Sequence, residues 1–196
     1  MKSSERINIS VFGASSRDVG ESYIQAAHEL GKLIAKKDWV CINGAGCEGL
    51  MRAVSDGALE AGGSVTGVIP KFMVDNGWHY EKLTRIITTA DMHERKLVMA
   101  QLSQAIVALP GGCGTMEELL EAMTWRQLNL APKPIIVLNT LGYYNPLVEM
   151  INNAITQGFM KKSHHRLWTV VKTPLEAIEA IEKALKQNPE DIESKY

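Results

Sequence analysis

A glycine-rich loop with a carboxylate just beyond it is the first feature of this sequence that could do chemistry. Residues 110–118 have the sequence P-G-G-C-G-T-M-E-E, follow an apolar run at 105–109 and open an amphipathic segment. The order strand, glycine loop, helix lets free backbone N–H groups converge on an anion such as phosphate. The same letters also fit a capping box, in which Thr115 and Glu118 satisfy the helix's own N–H groups. The loop therefore predicts either a phosphate site with Glu118 beside it or a structural helix cap.

Two adjacent cations near the start of another predicted helix form a second candidate. Asp91 and Glu94 fit the capping pattern of a helix that starts near His93, which puts Arg95 and Lys96 in its first turn. Positive charge there opposes the helix dipole by roughly 0.3–1 kcal/mol for each residue. Either a nearby anion compensates these charges, or both side chains extend into water.

Two further glycine-containing turns follow predicted strands, at residues 13–16 and 43–49. Ligands of open parallel sheets bind beyond the carboxyl ends of the strands, so these turns and the loop at 110 are expected to face one crevice. Each turn taken alone is more simply a tight turn, and the G-x-G-x-x-G at 44–49 lacks an acid roughly 20 residues downstream for a dinucleotide. Together they favour a ligand of mononucleotide size, with Ser15 and Gly46 as candidate contacts.

The elements that must position these residues form an α/β pattern. Short β-type runs alternate with helical periodicity, which predicts a single-domain, Rossmann-like, doubly wound sheet of about seven mainly parallel strands with helices on both faces. The predicted strands are residues 7–12, 39–43, 64–69, 84–88, 105–109, 134–139 and 167–171. Helices are expected between the first two strands, after the second, and near 93–104, 115–128, 145–157 and 174–186.

Composition limits the classes of function that remain. With 196 residues, of which 45% are hydrophobic and 22% charged, the chain fits one catalytic domain over residues 1–187 and a polar tail over 188–196. Its 21 basic and 22 acidic residues give no electrostatic footprint for nucleic acid or a membrane surface. Three widely spaced cysteines, a polar start and no long apolar stretch predict a cytoplasmic protein.

These motifs carry a family resemblance. The segment at 110–118 matches P-G-G-x-G-T-x-x-E at every fixed position, and residues 92–96 have the sequence M-H-E-R-K. On both motifs the chain resembles the LOG (Lonely Guy) family, historically labelled lysine decarboxylases, whose members are phosphoribohydrolases of cytokinin nucleotides or AMP. Further matches extend over nearly the whole chain, among them G-Y-Y at 142–144. The chain departs from the family near the second strand, where N-G-A-G and G-L-M-R replace a glycine run and G-L-M-G.

The resemblance implies specific roles for individual residues. It makes Arg95 and Glu118 the catalytic pair, and implies a homodimer with active sites near the subunit boundary. Nucleotide binding is assigned to Lys96, Gly111, Gly112, Cys113, Gly114, Thr115 and Thr124.

Cleavage of an N-glycosidic bond develops positive charge on the ribose, so Glu118 could stabilise that charge or activate water. Arg95 could hold this carboxylate ionised or touch phosphate and ribose. No residue of the sequence identifies itself as the acid that protonates the leaving base. For Cys113, a small loop-filling thiol is the favoured interpretation over a nucleophile.

The leading prediction is therefore a hydrolase that converts a purine nucleoside 5′-monophosphate, AMP or an N6-substituted relative, into free base and ribose 5-phosphate. The sequence predicts no cofactor and no catalytic metal, since its histidines have no ligand spacing. The alternative is a non-catalytic carrier of a nucleotide or of the molybdenum cofactor. A lysine decarboxylase would need a Schiff-base lysine, which nothing in the sequence marks. The N6 side of the pocket is expected within residues 71–81 and around Trp125.

Overall fold

The computed structural model describes residues 6–186. Seven parallel strands form one sheet in the spatial order β4-β3-β2-β1-β5-β6-β7. The strands are β1 (Asn8–Phe12), β2 (Val40–Asn43), β3 (Ser64–Pro70), β4 (Arg85–Thr89), β5 (Ala105–Ala108), β6 (Ile135–Leu138) and β7 (Thr169–Val171). The structure confirms the predicted single α/β domain, and all seven predicted strands are present within one or two residues of their expected bounds. The predicted tail, residues 188–196, lies outside the described residues.

Helices cover both faces of the sheet. They are α1 (Glu21–Lys36), α2 (Gly49–Glu60), α3 (Lys71–Asp75), α4 (Met92–Leu102), α5 (Cys113–Gln127), α6 (Asn145–Thr156) and α7 (Pro174–Lys186). Buried residues of α1, α2 and α7 share one apolar cluster with the sheet, and those of α4 and α5 share a second cluster on the opposite face. The strands β1, β2, β3, β5 and β6 contribute buried apolar residues to both clusters, as expected for a parallel sheet between two helical layers.

Two local expectations differ from the structure. The five-residue helix α3 was not predicted, because so short a segment has no measurable periodicity. The last strand begins at Thr169 instead of 167, because Lys162–Leu167 forms a 3-10 helix. Neither difference affects the edge of the sheet at which the candidate residues meet.

The position of the candidate site follows from the strand order. The chain leaves β1 towards α1 on one face, and leaves the neighbouring strand β5 towards α5 on the other face. Such a reversal opens a crevice at the carboxyl ends of the two strands, where ligands of doubly wound sheets bind.

Candidate active site

The three predicted glycine turns meet in this crevice. The backbone N–H of Ala14, after β1, donates to the carbonyl of Pro110, after β5, at 3.1 Å. The carbonyl of Ala14 in turn accepts from Leu50 N–H, at the start of α2, at 2.8 Å. Loops that are distant in sequence thus form one hydrogen-bonded floor, as expected from the sequence.

Two glycines allow the close approach of these loops. A Cβ atom at Gly44 would lie 2.1 Å from Nη2 of Arg95, so only hydrogen leaves room for the guanidinium. Gly49 has a φ of +60° and its backbone packs against the carbonyls of Ala14 and Ser16, where a Cβ would lie 2.6 Å from each oxygen. At Gly49 the backbone conformation and the nearby carbonyls require glycine, whereas at Gly44 a larger residue would displace the guanidinium of Arg95.

The loop after β5 presents the N-terminus of α5 to the crevice. The helix begins at Cys113 after Gly112, and no side chain caps its first turn. The N–H groups at a helix start have no partner within the helix and carry partial positive charge, which suits a phosphate group. Gly111 packs against Thr115, since a Cβ on Gly111 would lie 2.1 Å from the Thr115 hydroxyl. The geometry favours an anion site at this helix start.

The capping-box alternative is wrong. Thr115 and Glu118 both lie inside α5, two and five residues after its first residue, and their side chains do not cap it. Glu118 instead forms an ion pair with a residue of another helix, which a local sequence pattern does not reveal. A strong tertiary partner has replaced the local hydrogen bond that the motif allowed.

Glu118 and Arg95 form a buried ion pair across the crevice. Nη1 of Arg95 donates to Oε1 of Glu118 at 2.6 Å, and the two side chains are only 8% and 10% exposed. Nε of Arg95 donates to the backbone carbonyl of Val68 in β3 at 3.1 Å. The guanidinium is thus fixed between β3, the Gly44 turn and α5, which brings together the two predicted catalytic residues. Arg95 does not extend into water.

The start of α4 sets the direction of Arg95. Oδ1 of Asp91 accepts from the N–H groups of His93 and Glu94, both at 2.8 Å, so Asp91 is the N-cap as predicted. The carboxylate of Glu94 reaches back to the N–H of Ala90 at 2.6 Å, one residue before the cap. These bonds fix the first turn of the helix and hence the exit direction of the Arg95 side chain.

Burial and charge act in opposite directions on Glu118. Loss of solvent raises the pKa of its carboxyl group above the usual glutamate range, and the Arg95 guanidinium partly offsets this rise. Burial raises the pKa of the neighbouring Tyr144 phenol as well, and the charge of Glu118 adds to that effect. A carboxyl group with a raised pKa beside a fixed cation is typical of a catalytic acid or base.

Two tyrosines support the loop after β5, and sequence reasoning did not assign them a role. The hydroxyl of Tyr143 donates to the carbonyl of Gly111 at 2.6 Å, and that of Tyr144 donates to the carbonyl of Leu109 at 2.7 Å. Their rings pack edge to face, 5.1 Å apart between centroids. The only signal in the sequence was the G-Y-Y match at 142–144, which gave no function.

Lys96 does not point freely towards an anion. Its Nζ donates to Oε1 of Glu117 at 2.5 Å and to Oε1 of Glu121 at 3.1 Å, and the side chain is 11% exposed. The anions that compensate the two cations of α4 are therefore side chains of α5. The alternative in which Lys96 extends into water is wrong.

The remaining predicted contacts differ in their exposure and in the element on which they lie. Ser15 is exposed in the turn after β1, and Gly46 is half-buried in the turn after β2, where it forms an isolated bridge with His79. Cys113 is exposed at the first residue of α5, so its thiol does not fill the loop. Thr124 is exposed two helical turns beyond Glu118, and its hydroxyl donates to the carbonyl of Leu120 at 2.9 Å. Within this chain the structure does not bring Thr124 to the crevice.

A second concavity lies away from this crevice. A groove of about 820 Å³ runs between α1 and α2, lined by Arg17, Glu21, His28, Glu48, Arg52 and Asp56 among others. Neither Arg95 nor Glu118 lines it, and most of its charged groups are paired with one another.

Among residues 6–186 no cluster of three or more metal-ligating side chains occurs. No helix in that range is both long and apolar enough to cross a membrane.

Comparison with known proteins gives consistent similarities. Residues 51–181 match the model of a family described as "Possible lysine decarboxylase". Over 175 residues the chain is 41% identical to a probable cytokinin riboside 5′-monophosphate phosphoribohydrolase of Oryza sativa subsp. japonica, covering 89% of this chain and 72% of that protein. It is 40% identical over 174 residues to a cytokinin riboside 5′-monophosphate phosphoribohydrolase of Arabidopsis thaliana, with coverages of 89% and 76%.

A solved structure is similar over the whole fold. The molybdenum cofactor carrier protein of Chlamydomonas reinhardtii aligns with a TM-score of 0.72 and 28% sequence identity, covering 93% of this chain and 99% of that one. The chain is therefore similar in fold to a protein described as a carrier, and similar in sequence to proteins described as phosphoribohydrolases.

Proposed function

Because this chain belongs to the LOG family, we propose that it hydrolyses the N-glycosidic bond of a purine nucleoside 5′-monophosphate, giving free base and ribose 5-phosphate. Relatives at 40% and 41% identity carry the name phosphoribohydrolase. The observation that carries the proposal is the buried pair of Arg95 and Glu118, beside a helix start suited to a phosphate group.

The reaction needs one water molecule and no redox step. The bond between the ribose C1′ and the base nitrogen breaks, its electron pair leaves with the base, and positive charge develops on the ribose. Water then bonds to C1′, and of its two protons one ends on the base and one stays in the new hydroxyl. A carboxylate at C1′ stabilises the developing charge or takes the proton from water, and Glu118 serves in this role.

Arg95 keeps the carboxylate of Glu118 ionised and correctly oriented. An isolated carboxylate in a buried position next to a bound phosphate would take up a proton at neutral pH, because burial and like charge both raise its pKa. The fixed guanidinium counters both effects and sets the orientation of the carboxylate. The phosphate itself is assigned to the N–H groups at Gly112, Cys113, Gly114 and Thr115.

A homodimer completes this proposal. Leu97 on α4 is 49% exposed and Leu120 on α5 is 40% exposed, and Thr124 lies one turn beyond Leu120. A second copy on this face would cover the two leucines and bring Thr124 against a neighbouring site, which would agree with the nucleotide-binding role that the family resemblance implies for Thr124. The base would extend towards the segment at 71–81, where Phe72 and Trp78 are both about half exposed.

Release of base from two nucleotides tests the activity. Purified protein is incubated with AMP or isopentenyladenosine monophosphate, and free base is measured by chromatography. We expect release from at least one substrate and a loss of about 100-fold or more in Glu118→Gln. Glu60→Gln, an exposed glutamate that pairs with His28, is the matched control and should retain activity. Absence of base from both nucleotides would refute the proposal.

A carrier is the second candidate function, favoured by the likeness to the molybdenum cofactor carrier protein. Tight binding of a nucleotide or of the molybdenum cofactor without turnover, equal in the wild-type protein and in Glu118→Gln, would support it.

Lys96 does not fit the catalytic lysine of a decarboxylase. Such an enzyme needs a lysine free to form a Schiff base with pyridoxal phosphate. Lys96, which adjoins Arg95, is held by two carboxylates instead.

A further inference from the structure

Lys96 takes part in a second ion pair that runs beside the catalytic one. Arg95 and Lys96 are consecutive on α4, and their partners Glu118 and Glu117 are consecutive on α5. Glu121, one turn further along α5, accepts a second bond from Lys96. Two adjacent cations of α4 therefore form ion pairs with two adjacent carboxylates of α5.

The side chain of Lys96 is largely buried, and its ammonium group bonds to carboxylates of the protein. A lysine side chain normally keeps its charged end in water, and ordering it costs conformational entropy. Here the side chain is 11% exposed, and its Nζ lies within 3.1 Å of two carboxylate oxygens. Two of its three donors are thereby engaged within the protein, by carboxylates of α5.

We propose that Lys96, together with Glu117 and Glu121, is a positioning residue for the proposed reaction. It holds the second turn of α5 against α4 so that Glu118 meets Arg95, and it neutralises the charge of Glu117 next to the catalytic carboxylate. This role differs from nucleotide binding, which the family resemblance implies for Lys96, and it rests on the phosphoribohydrolase activity proposed above.

The charges around Glu118 give this role a measurable signature. Arg95 and Lys96 on α4 lower the pKa of Glu118, and Glu117 on its own helix raises it. Tyr144, which precedes α6, faces it as a neutral phenol. Removal of the Lys96 charge should therefore raise the pKa of Glu118, and removal of the Glu117 charge should lower it.

The pH dependence of kcat/KM for base release separates positioning from binding. In Lys96→Met the acidic half of the profile should shift to higher pH, and in Glu117→Gln it should shift to lower pH. Lys96→Arg keeps a cation within reach of both carboxylates and should restore most of the wild-type profile. Glu121→Gln removes one bond without removing an immediate neighbour of Glu118, so it should lower kcat with a smaller pH shift.

A nucleotide-binding role would give a different result. If Lys96 contacts the substrate, Lys96→Met raises KM and weakens AMP binding in calorimetry, with the profile unshifted and with Glu117→Gln close to wild type. That pattern would overturn the positioning role.

A second measurement does not depend on turnover. NMR titration of the Glu118 side-chain carboxyl in the wild-type protein, Lys96→Met and Glu117→Gln reports the same opposite shifts directly. If AMP and its N6-substituted relative release no base, the proposed function fails, and the titration still decides whether Lys96 and Glu117 set the protonation of Glu118. Identical titration curves in all three proteins would refute the inference. If Lys96→Met does not fold, Glu117→Gln and Lys96→Arg carry the test.

Discussion

The carboxyl group of Glu118 lies between two opposing influences. Burial favours its neutral form, and the guanidinium of Arg95 at 2.6 Å favours its charged form. The result is a pKa above the usual glutamate range in a group that hydrolysis requires in its charged form. A change in the surrounding charge shifts this pKa, and with it the pH at which activity is lost, so Glu118 is sensitive to residues that never touch the substrate.

This balance predicts an acid-side loss of activity. A carboxylate that works in its ionised form loses activity as pH falls through its pKa, and the raised pKa of Glu118 moves that loss to a higher pH than an ordinary glutamate would show. The measurement is kcat/KM for base release between about pH 4 and pH 9, a range that runs from the usual glutamate pKa to above neutral pH. Arg95→Met should move the loss further towards neutral pH. An unchanged acidic limb in Arg95→Met would contradict the assignment.

At the scale of elements, the phosphate-binding loop depends on a segment that follows a different strand. Tyr143 and Tyr144 lie beyond β6, yet their hydroxyls donate to carbonyls of Gly111 and Leu109 in the loop after β5. These bonds fix the carbonyls on the back of the loop, so that the N–H groups of the following helix start face the crevice. The conformation of the loop thus depends on hydrogen bonds from the segment after β6, in addition to the bonds within the loop itself.

Removal of one hydroxyl tests this support. Tyr143→Phe deletes the bond to Gly111, whose net contribution is about 0.5–1.5 kcal/mol, so KM should rise by a few-fold with kcat changed less. Tyr23→Phe is the matched control, because it removes the hydroxyl of a neighbouring tyrosine and keeps the edge-to-face contact of that ring with Tyr143. Steady-state kinetics of base release measure both variants. A Tyr143→Phe enzyme with the KM of the control would show that the bond does not organise the loop.

The turn after β2 offers a steric test of the same arrangement. Gly44→Ala puts a Cβ 2.1 Å from Nη2 of Arg95, so either the guanidinium or the turn must shift. We expect kcat/KM to fall by roughly 10-fold or more, because small displacements of catalytic groups are costly. In Gly20→Ala the added Cβ meets only ordinary contacts, and that variant should retain activity. Circular dichroism checks that both variants are folded.

At the scale of the whole molecule, the strand order decides where chemistry occurs. The chain reverses its winding between β1 and β5, and the crevice at that point collects residues from α4, α5 and three turns. The exposed apolar side chains of Leu97 and Leu120 lie on the two helices that carry Arg95 and Glu118. An interface there would couple assembly to the active site.

A charge on this face tests the proposed dimer. Leu120→Glu adds a carboxylate to the surface that a second copy would cover, so we expect a monomer in analytical ultracentrifugation and a loss of activity. Leu175→Glu, an exposed leucine of α7 on the opposite face of the sheet, should leave both properties unchanged. A Leu120→Glu protein that sediments like the wild-type protein would contradict the interface.

The sequence by itself determined the fold class, the seven strands and the catalytic candidates. Alternating periodicities identify parallel strands and crossover helices, and a glycine loop between strand and helix identifies an anion site, because both signals depend on residues that are neighbours along the chain. Asp91 was recognisable as an N-cap for the same reason. Arg95 was recognisable because its positive charge opposes the dipole of the helix in which it lies.

Only the tertiary structure decided which partner each charged residue takes. Thr115 and Glu118 fit a local cap, yet Glu118 pairs with Arg95, 23 residues away, and Lys96 pairs with Glu117 and Glu121 on another helix. The supporting bonds of Tyr143 and the steric need for Gly44 also depend on elements that meet only after the sheet is assembled. Spacing in sequence describes a helix face, whereas the choice of ion partner depends on which helices the sheet brings together.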